Sequence, residues 1–185
     1  MSYELSNLQT KLLDSRILDI NGSVDGKMVL YVREALTILA TMGSPPIEVR
    51  ICSSGGGADA GLDIYDLLRL YKGKKTGIVF CYARSMAAII LQACDQRHCA
   101  RHAVVLIHHV NVSEGNVKYL NLDFLNSKKK INELIKDMKR WQLRLYRILE
   151  ECSGKPRKLI RQICSKDEDM SAEEARRLGL IDKII

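Results

Sequence analysis

An α/β domain is the fold class this sequence predicts, and three observations predict it. Short apolar runs of strand type alternate with stretches of helical spacing from about Arg16 to His108. Turn formers stand between them, at Asn21-Gly22, Gly43 with Pro45-Pro46, Gly55-Gly56-Gly57 and Gly73. The length, 185 residues with 46% hydrophobic and 28% charged, suits one soluble domain with a full core.

In chain order, Arg16-Ile-Leu-Asp-Ile20 reads as a short strand closed by Asn21-Gly22. Residues 27–42 carry apolar side chains at helical spacing and stop at Gly43. Ile47-Glu-Val-Arg-Ile51 alternates as a strand and runs into Cys52-Ser-Ser-Gly-Gly-Gly57. The next helix sets Ile64, Leu67, Leu68 and Tyr71 on one side and closes at Gly73. A strand at 77–81, a helix from Ser85 to about Ala93, a tight turn and a strand at 103–108 complete the alternation. From about Lys118 to Cys152 the pattern changes to one long helix. Its apolar residues Ile131, Leu134, Met138, Trp141, Leu145, Ile148 and Cys152 repeat at three and four. Thirty such residues extend roughly 45 Å, longer than the domain needs. The helix is therefore expected to project and to pack on another subunit, the alternative being that it folds back over its own sheet. No internal repeat or linker interrupts the chain.

Composition excludes several classes. No apolar run approaches the roughly 20 residues that span a bilayer, and Met-Ser-Tyr-Glu-Leu lacks the order of a secretory signal. A cytoplasmic protein is expected. Its six cysteines (52, 81, 94, 99, 152 and 164) lack the spacing of a disulfide framework and read as buried small hydrophobes. The net charge of +7 lies largely in Lys128-Lys129-Lys130 and along Lys136 to Arg147, interleaved with acids. That is a solvated helix face rather than a nucleic-acid surface. Cys94, His98, Cys99 and His102 match no usual zinc spacing, so no metal and no cofactor is expected.

Chemistry concentrates at Ser85, followed 23 positions later by His108 and 82 later by Asp167. A serine hydroxyl becomes a nucleophile when an imidazole takes its proton, and a carboxylate fixes the imidazole's tautomer. Ser85 opens a helix directly after a strand, where backbone N–H groups gather at a positive helix end; the bland alternative is a simple N-cap. The three consecutive glycines likewise bring N–H groups over the sheet edge, and they lack the Gly-Lys-Ser/Thr ending of a phosphate loop. Two such loops at one edge would make an oxyanion hole. His109 competes with His108, but a strand alternates its faces, so only one of them can address Ser85. Asp167, Glu168 and Asp169 also read as a solvated turn or as a cap for Ser171-Ala-Glu-Glu.

Four motifs in order resemble the Clp protease proteolytic subunit family, as a divergent member. They are Ile51-Cys-Ser-Ser-Gly-Gly-Gly-Ala-Asp-Ala-Gly61, Ala83-Arg-Ser85-Met86-Ala, Leu106-Ile-His108-His, and Asp167-Glu-Asp-Met170-Ser171-Ala-Glu-Glu-Ala175 with Gly179-Leu-Ile-Asp182. The resemblance runs from about Arg16 to the C-terminus. It implies the repeated β-β-α superhelix of the Clp protease and crotonase type. One domain would span residues 1–185, with a head of 1–112 and 153–185 and a handle helix at about 117–152. It implies Ser85 as nucleophile, His108 as general base and acid, and Asp167 as the orienting carboxylate. The backbone N–H groups of Gly56 and Met86 would form the oxyanion hole. A peptide would lie extended between the edge Gly56–Ala58, with Gly57 and Ala58 as contacts, and a segment from Val110 and Asn111 to Ser113. The implied activity is serine endopeptidase cleavage of peptides or unfolded proteins through an acyl-enzyme. It would occur in a homo-oligomer of heptameric rings stacked in pairs and interlocked by the handle.

The sequence departs from that pattern in places. Arg84 replaces a small residue before the nucleophile and would either bind an acidic substrate side chain or obstruct the pocket. Ser54 replaces a proline. Val-Asn-Val-Ser-Glu-Gly replaces the stretch after His109, and the interval from His108 to Asp167 is longer, the excess falling in the handle. Little precedes Leu12-Leu13-Asp14-Ser15-Arg16, so the family's axial loop is largely missing. Glu48 and Arg50 stand where the family places aromatic residues that receive an unfoldase, so a standard AAA+ unfoldase is a doubtful partner. The alternative function is a weak or inactive ring subunit with a structural role. An acyl-CoA hydratase of the crotonase type and a membrane peptidase with a Ser-Lys dyad fit less well.

Overall fold

The computed structural model describes residues 4–111 and 122–185. In chain order the elements are α1 (Asn7–Asp14), β1 (Ile17–Val24), α2 (Gly26–Thr41), β2 (Ile47–Gly56), α3 (Ala58–Leu70), β3 (Lys75–Arg84), α4 (Met86–Leu91) and β4 (Gln96–Cys99). There follow β5 (Val104–Leu106), α5 (Leu122–Leu125), α6 (Lys128–Ser153), α7 (Arg157–Cys164), β6 (Met170–Ser171), α8 (Ala172–Leu178) and β7 (Lys183–Ile184). Side-chain caps mark several of the helix starts. Asp25 caps α2 through Oδ1, accepting from Lys27 and Met28 N–H, and Ser171 forms a capping box with Glu174 at α8.

Strands β1, β2, β3, β4 and β7 lie side by side in that order, all parallel. The sheet forks at β3. Its first half, Thr76–Val79, pairs with β4, while Tyr82–Arg84 pairs with β5. Strand β5 in turn pairs antiparallel with β6, Val105 opposite Met170. Strictly alternating burial in β2 sends Ile47, Val49, Ile51 and Ser53 into the core. Leu18, Ile20, Ile64, Leu68, Ile90, Leu149, Ile160 and Leu180 fill it, each contributing about 2 kcal/mol through removal from water. All six residues of α4 are buried, so the helix behind Ser85 runs through the centre of the molecule.

Three expectations are corrected. Residues 94–102 are not only a turn: Gln96–Cys99 is a strand held between β3 and β7. Strands β1, β2 and β3 run past their apolar runs, because backbone pairing such as Val24 with Gly56 continues into the glycine loop. The long helix begins at Lys128, where Ser127 caps it, with α5 as a separate turn before it; the expected start near residue 117 lies outside the described residues. The apolar seam of this helix is buried only towards its end, at Leu145, Tyr146, Ile148 and Leu149. Ile131, Leu134, Met138 and Trp141 remain partly exposed.

All six cysteines are unpaired, with Cys94, Cys99 and Cys164 buried and Cys81 exposed. Burial pushes the Cys94 thiol up to about 12 and those of Cys99 and Cys164 up to about 11. Alkylation of the folded chain with iodoacetamide at neutral pH is expected to modify Cys81 well before these three, as read by peptide mass mapping.

Candidate active site

Ser85 occupies the turn from β3 into α4 with φ 54° and ψ −124°. A β-carbon is strained there by about 1–3 kcal/mol, and such strain persists only where the surroundings hold it. Several contacts do. The Ser85 N–H donates to the Leu106 carbonyl at 2.9 Å, and its carbonyl accepts from Ala88 N–H at 3.1 Å. Ala83 and Ala87, on either side, are fully buried small residues that let neighbouring backbone close in.

The neighbouring backbone is the glycine loop at the end of β2. Gly55 has φ +88°, and a β-carbon on it would lie 2.7 Å from Ser85 Cβ and 2.8 Å from Met86 N. A β-carbon on Gly56 would lie 2.2 Å from the Val24 carbonyl oxygen. Buried Ser53 fixes this loop, its hydroxyl donating to the Gly22 carbonyl at 2.5 Å and accepting from Gly55 N–H at 3.0 Å. The turn carrying Ser85 and the glycines thus meet at the C-terminal ends of adjacent parallel strands, the place where open α/β sheets bind ligands.

A cleft of about 820 Å³, its open mouth included, lies over this junction. Gly56, Gly57, Ala58, Ser85, Met86, His108, Val110 and Asn111 all line it. Its apolar wall consists of Ile89, Ile107, Trp141, Leu145 and Leu149, three of them from α6. The structure therefore brings together every sequence-predicted site residue except Asp167. Among the described residues, neither the Ser85 hydroxyl nor the His108 ring has a hydrogen-bond partner, and no His108 nitrogen lies within 4.0 Å of the Asp167 carboxylate. Asp167 is exposed at φ 54° in the turn between α7 and β6. Val112 and Ser113 of the expected substrate edge lie outside the described residues.

His109 is engaged at both ring nitrogens. Ser165 Oγ donates to the Arg161 carbonyl at 2.8 Å, so it accepts from His109 Nε2–H at 3.0 Å. His109 Nδ1 then accepts from the Tyr146 hydroxyl at 2.8 Å. Burial raises the Tyr146 pKa and keeps that hydroxyl protonated and donating. Of the two adjacent histidines, His108 is the one whose ring makes no hydrogen bond among the described residues.

Sequence reasoning missed the role of three residues at the site. Gln142 Oε1 accepts the Val110 N–H at 2.7 Å, so the edge beside the cleft is tied to α6. Trp141 and Ser53 act through packing and burial, which single residue types do not signal. Arg84 neither reaches for an acidic substrate nor blocks the cleft, since it forms a two-pronged ion pair with Asp169 and lies 4.8 Å over the Tyr82 ring. Its guanidinium holds the Asp169 carboxyl below the usual range. A carboxylate depressed on folding contributes stability above its unfolded pKa and loses it as pH falls through its folded value. The urea midpoint of the native chain is therefore expected to exceed that of Asp169→Asn at neutral pH, with the gap closing in acid below about pH 4. Because both side chains are about one-third exposed, the gap is small.

Glu48 and Arg50 pair with each other at 2.5 Å on β2, with Arg50 also 5.4 Å over Phe80. No described helix is long and apolar enough to cross a membrane. The family model described as Clp protease matches residues 2–185 of the chain.

Proposed function

From this chain's membership of the Clp protease family, we propose that it is a serine endopeptidase acting through an acyl-enzyme on peptides or unfolded proteins. The observation that carries the reading is the strained Ser85 turn pressed against Gly55, with His108 in the same cleft. His108 takes the Ser85 proton as Oγ attacks the scissile carbonyl. The backbone N–H groups of Gly56 and Met86 receive the oxyanion, and His108 returns the proton to the leaving amine. Water then attacks the ester by the same route in reverse. Asp167 orients the imidazolium once the turn at 165–169 brings it to His108, as apo catalytic hydrogen bonds commonly tighten only around substrate.

The apolar wall supports acceptance of an apolar side chain beside the scissile bond. Trimming it with Trp141→Ala is expected to raise kcat/KM for aromatic over small aliphatic side chains by about tenfold, measured on short fluorogenic peptides. Equal effects on both would count against this pocket.

Assembly into a homo-oligomer, with heptameric rings stacked in pairs, is part of the same proposal. It is supported by the part of the α6 seam before Leu145 that this chain leaves incompletely covered. The Glu48–Arg50 pair offers charge where an unfoldase would insert apolar anchors, so the chain works without a standard AAA+ unfoldase or through another contact. Six unpaired cysteines suit a cytoplasmic setting. The second reading, a weak or inactive ring subunit, is favoured by the separation of Asp167 from His108. Peptide hydrolysis that depends on Ser85, in a sample whose native mass is that of a ring, decides for the enzyme. A ring with no hydrolysis decides for the scaffold.

A further inference from the structure

We infer that Arg84 and Asp169 are a positioning pair for the proposed peptidase reaction, stapling the turn that bears the acid to the strand that bears the nucleophile. The inference rests on the peptidase reading above and adds two residues that do not touch the substrate. Arg84 is the last residue of β3, directly before Ser85. Asp169 lies two residues after Asp167 and directly before β6. Between these strands runs β5, whose Leu106 sits opposite Arg84 and whose Val105 sits opposite Met170. The ion pair therefore reaches across the strand that leads to His108, joining the two outer members of a three-strand group that carries all three triad candidates.

Its geometry is directional. Arg84 Nε–H donates to Asp169 Oδ1 at 2.6 Å and Nη2–H to Oδ2 at 2.5 Å, while the guanidinium lies over Tyr82. Two parallel hydrogen bonds plus one ring contact leave the fork a single placement, which a lysine cannot reproduce. The other end of the turn is held by His109 through Ser165. Asp167 stands between these two anchors, exposed and at positive φ, so its reach towards His108 is set by where they hold the turn. The pair also explains how an arginine is accommodated next to a nucleophile: its charge is spent on Asp169 and turned away from the cleft, which it does not line.

The test compares the native chain with Arg84→Ala, Arg84→Lys, Asp169→Asn, the double variant Arg84→Ala/Asp169→Asn and the exchange Arg84→Asp/Asp169→Arg. The rate of Ser85 labelling by a fluorophosphonate, kcat and KM on a short peptide, and the thermal midpoint are read for each. Each single variant is expected to lower the labelling rate and kcat by about tenfold to a hundredfold, with KM within about twofold. The double variant should be no slower than the slower single one, and the exchange should recover part of the loss. Thermal midpoints should move little, since the pair is partly exposed. Unchanged rates in the single variants, or losses that simply multiply in the double variant, overturn the pairing while leaving the peptidase reading intact. Absence of labelling in the native chain overturns both.

Discussion

Ser85→Ala is expected to lower peptide hydrolysis by at least about a thousandfold, to the level of binding and oxyanion stabilisation alone. The chain should stay folded, because the Ser85 hydroxyl caps no helix and bonds to nothing among the described residues. Its replacement by methyl leaves in place the backbone bonds that Ser85 donates to the Leu106 carbonyl and accepts from Ala88 N–H. Ser85→Gly makes a sharper pair with it. Both variants lose the nucleophile, but only glycine relieves the positive φ at this turn. Relief of the strain, less the entropy lost by glycine, should stabilise Ser85→Gly over Ser85→Ala by on the order of 1 kcal/mol. Thermal unfolding of the two would read it. A serine at a position that glycine would fill more stably fits the proposed role of Ser85 as nucleophile.

Gly55→Ala is expected to be nearly as damaging to activity and to damage the fold as well. The added methyl meets Ser85 Cβ, the Arg84 carbonyl oxygen and Met86 N, all within 2.8 Å. These are backbone atoms or atoms fixed to it, so no rotamer change makes room, and the φ of +88° disfavours any side chain. Either the glycine loop or the Ser85 turn must withdraw, and each carries one of the two proposed oxyanion donors, Gly56 and Met86. Hydrolysis should fall by about a hundredfold or more. The unfolding free energy should fall by about 1–3 kcal/mol, measured by urea titration. A variant with native activity would mean that the loop and the turn do not cooperate.

How far the sequence foretold this depends on the element. Helix α2 was readable within a residue at each end, since apolar spacing and the glycine and prolines that follow it agree. Strand β4 was not, because Gln96-Arg-His-Cys99 has no apolar alternation; pairing on both sides makes it a strand. The break before Lys128 was missed because Lys128-Lys129-Lys130 carries no apolar period to mark it, whereas the C-terminal seam at Leu145 and Ile148 was plain.

In the site, Ser85, His108, Gly56 and Met86 could be read from local motifs, and the cleft does gather them. What the motifs could not supply is partners distant in the chain. Arg84 and Asp169 stand 85 positions apart, and Gln142 meets Val110 across 32. Neither pairing has a local period or spacing to betray it. The separation of Asp167 from His108 was likewise beyond reach of the sequence, which names the residues of a turn but not where its anchors hold it.

The most direct measurement is the mass of the assembled native chain after exposure to a fluorophosphonate, followed by peptide mapping. The peptidase account predicts a single phosphonyl adduct per chain, on Ser85, and a rate that falls when His108→Ala removes the base. An assembled sample that gains no mass, or gains it elsewhere than Ser85, would contradict it.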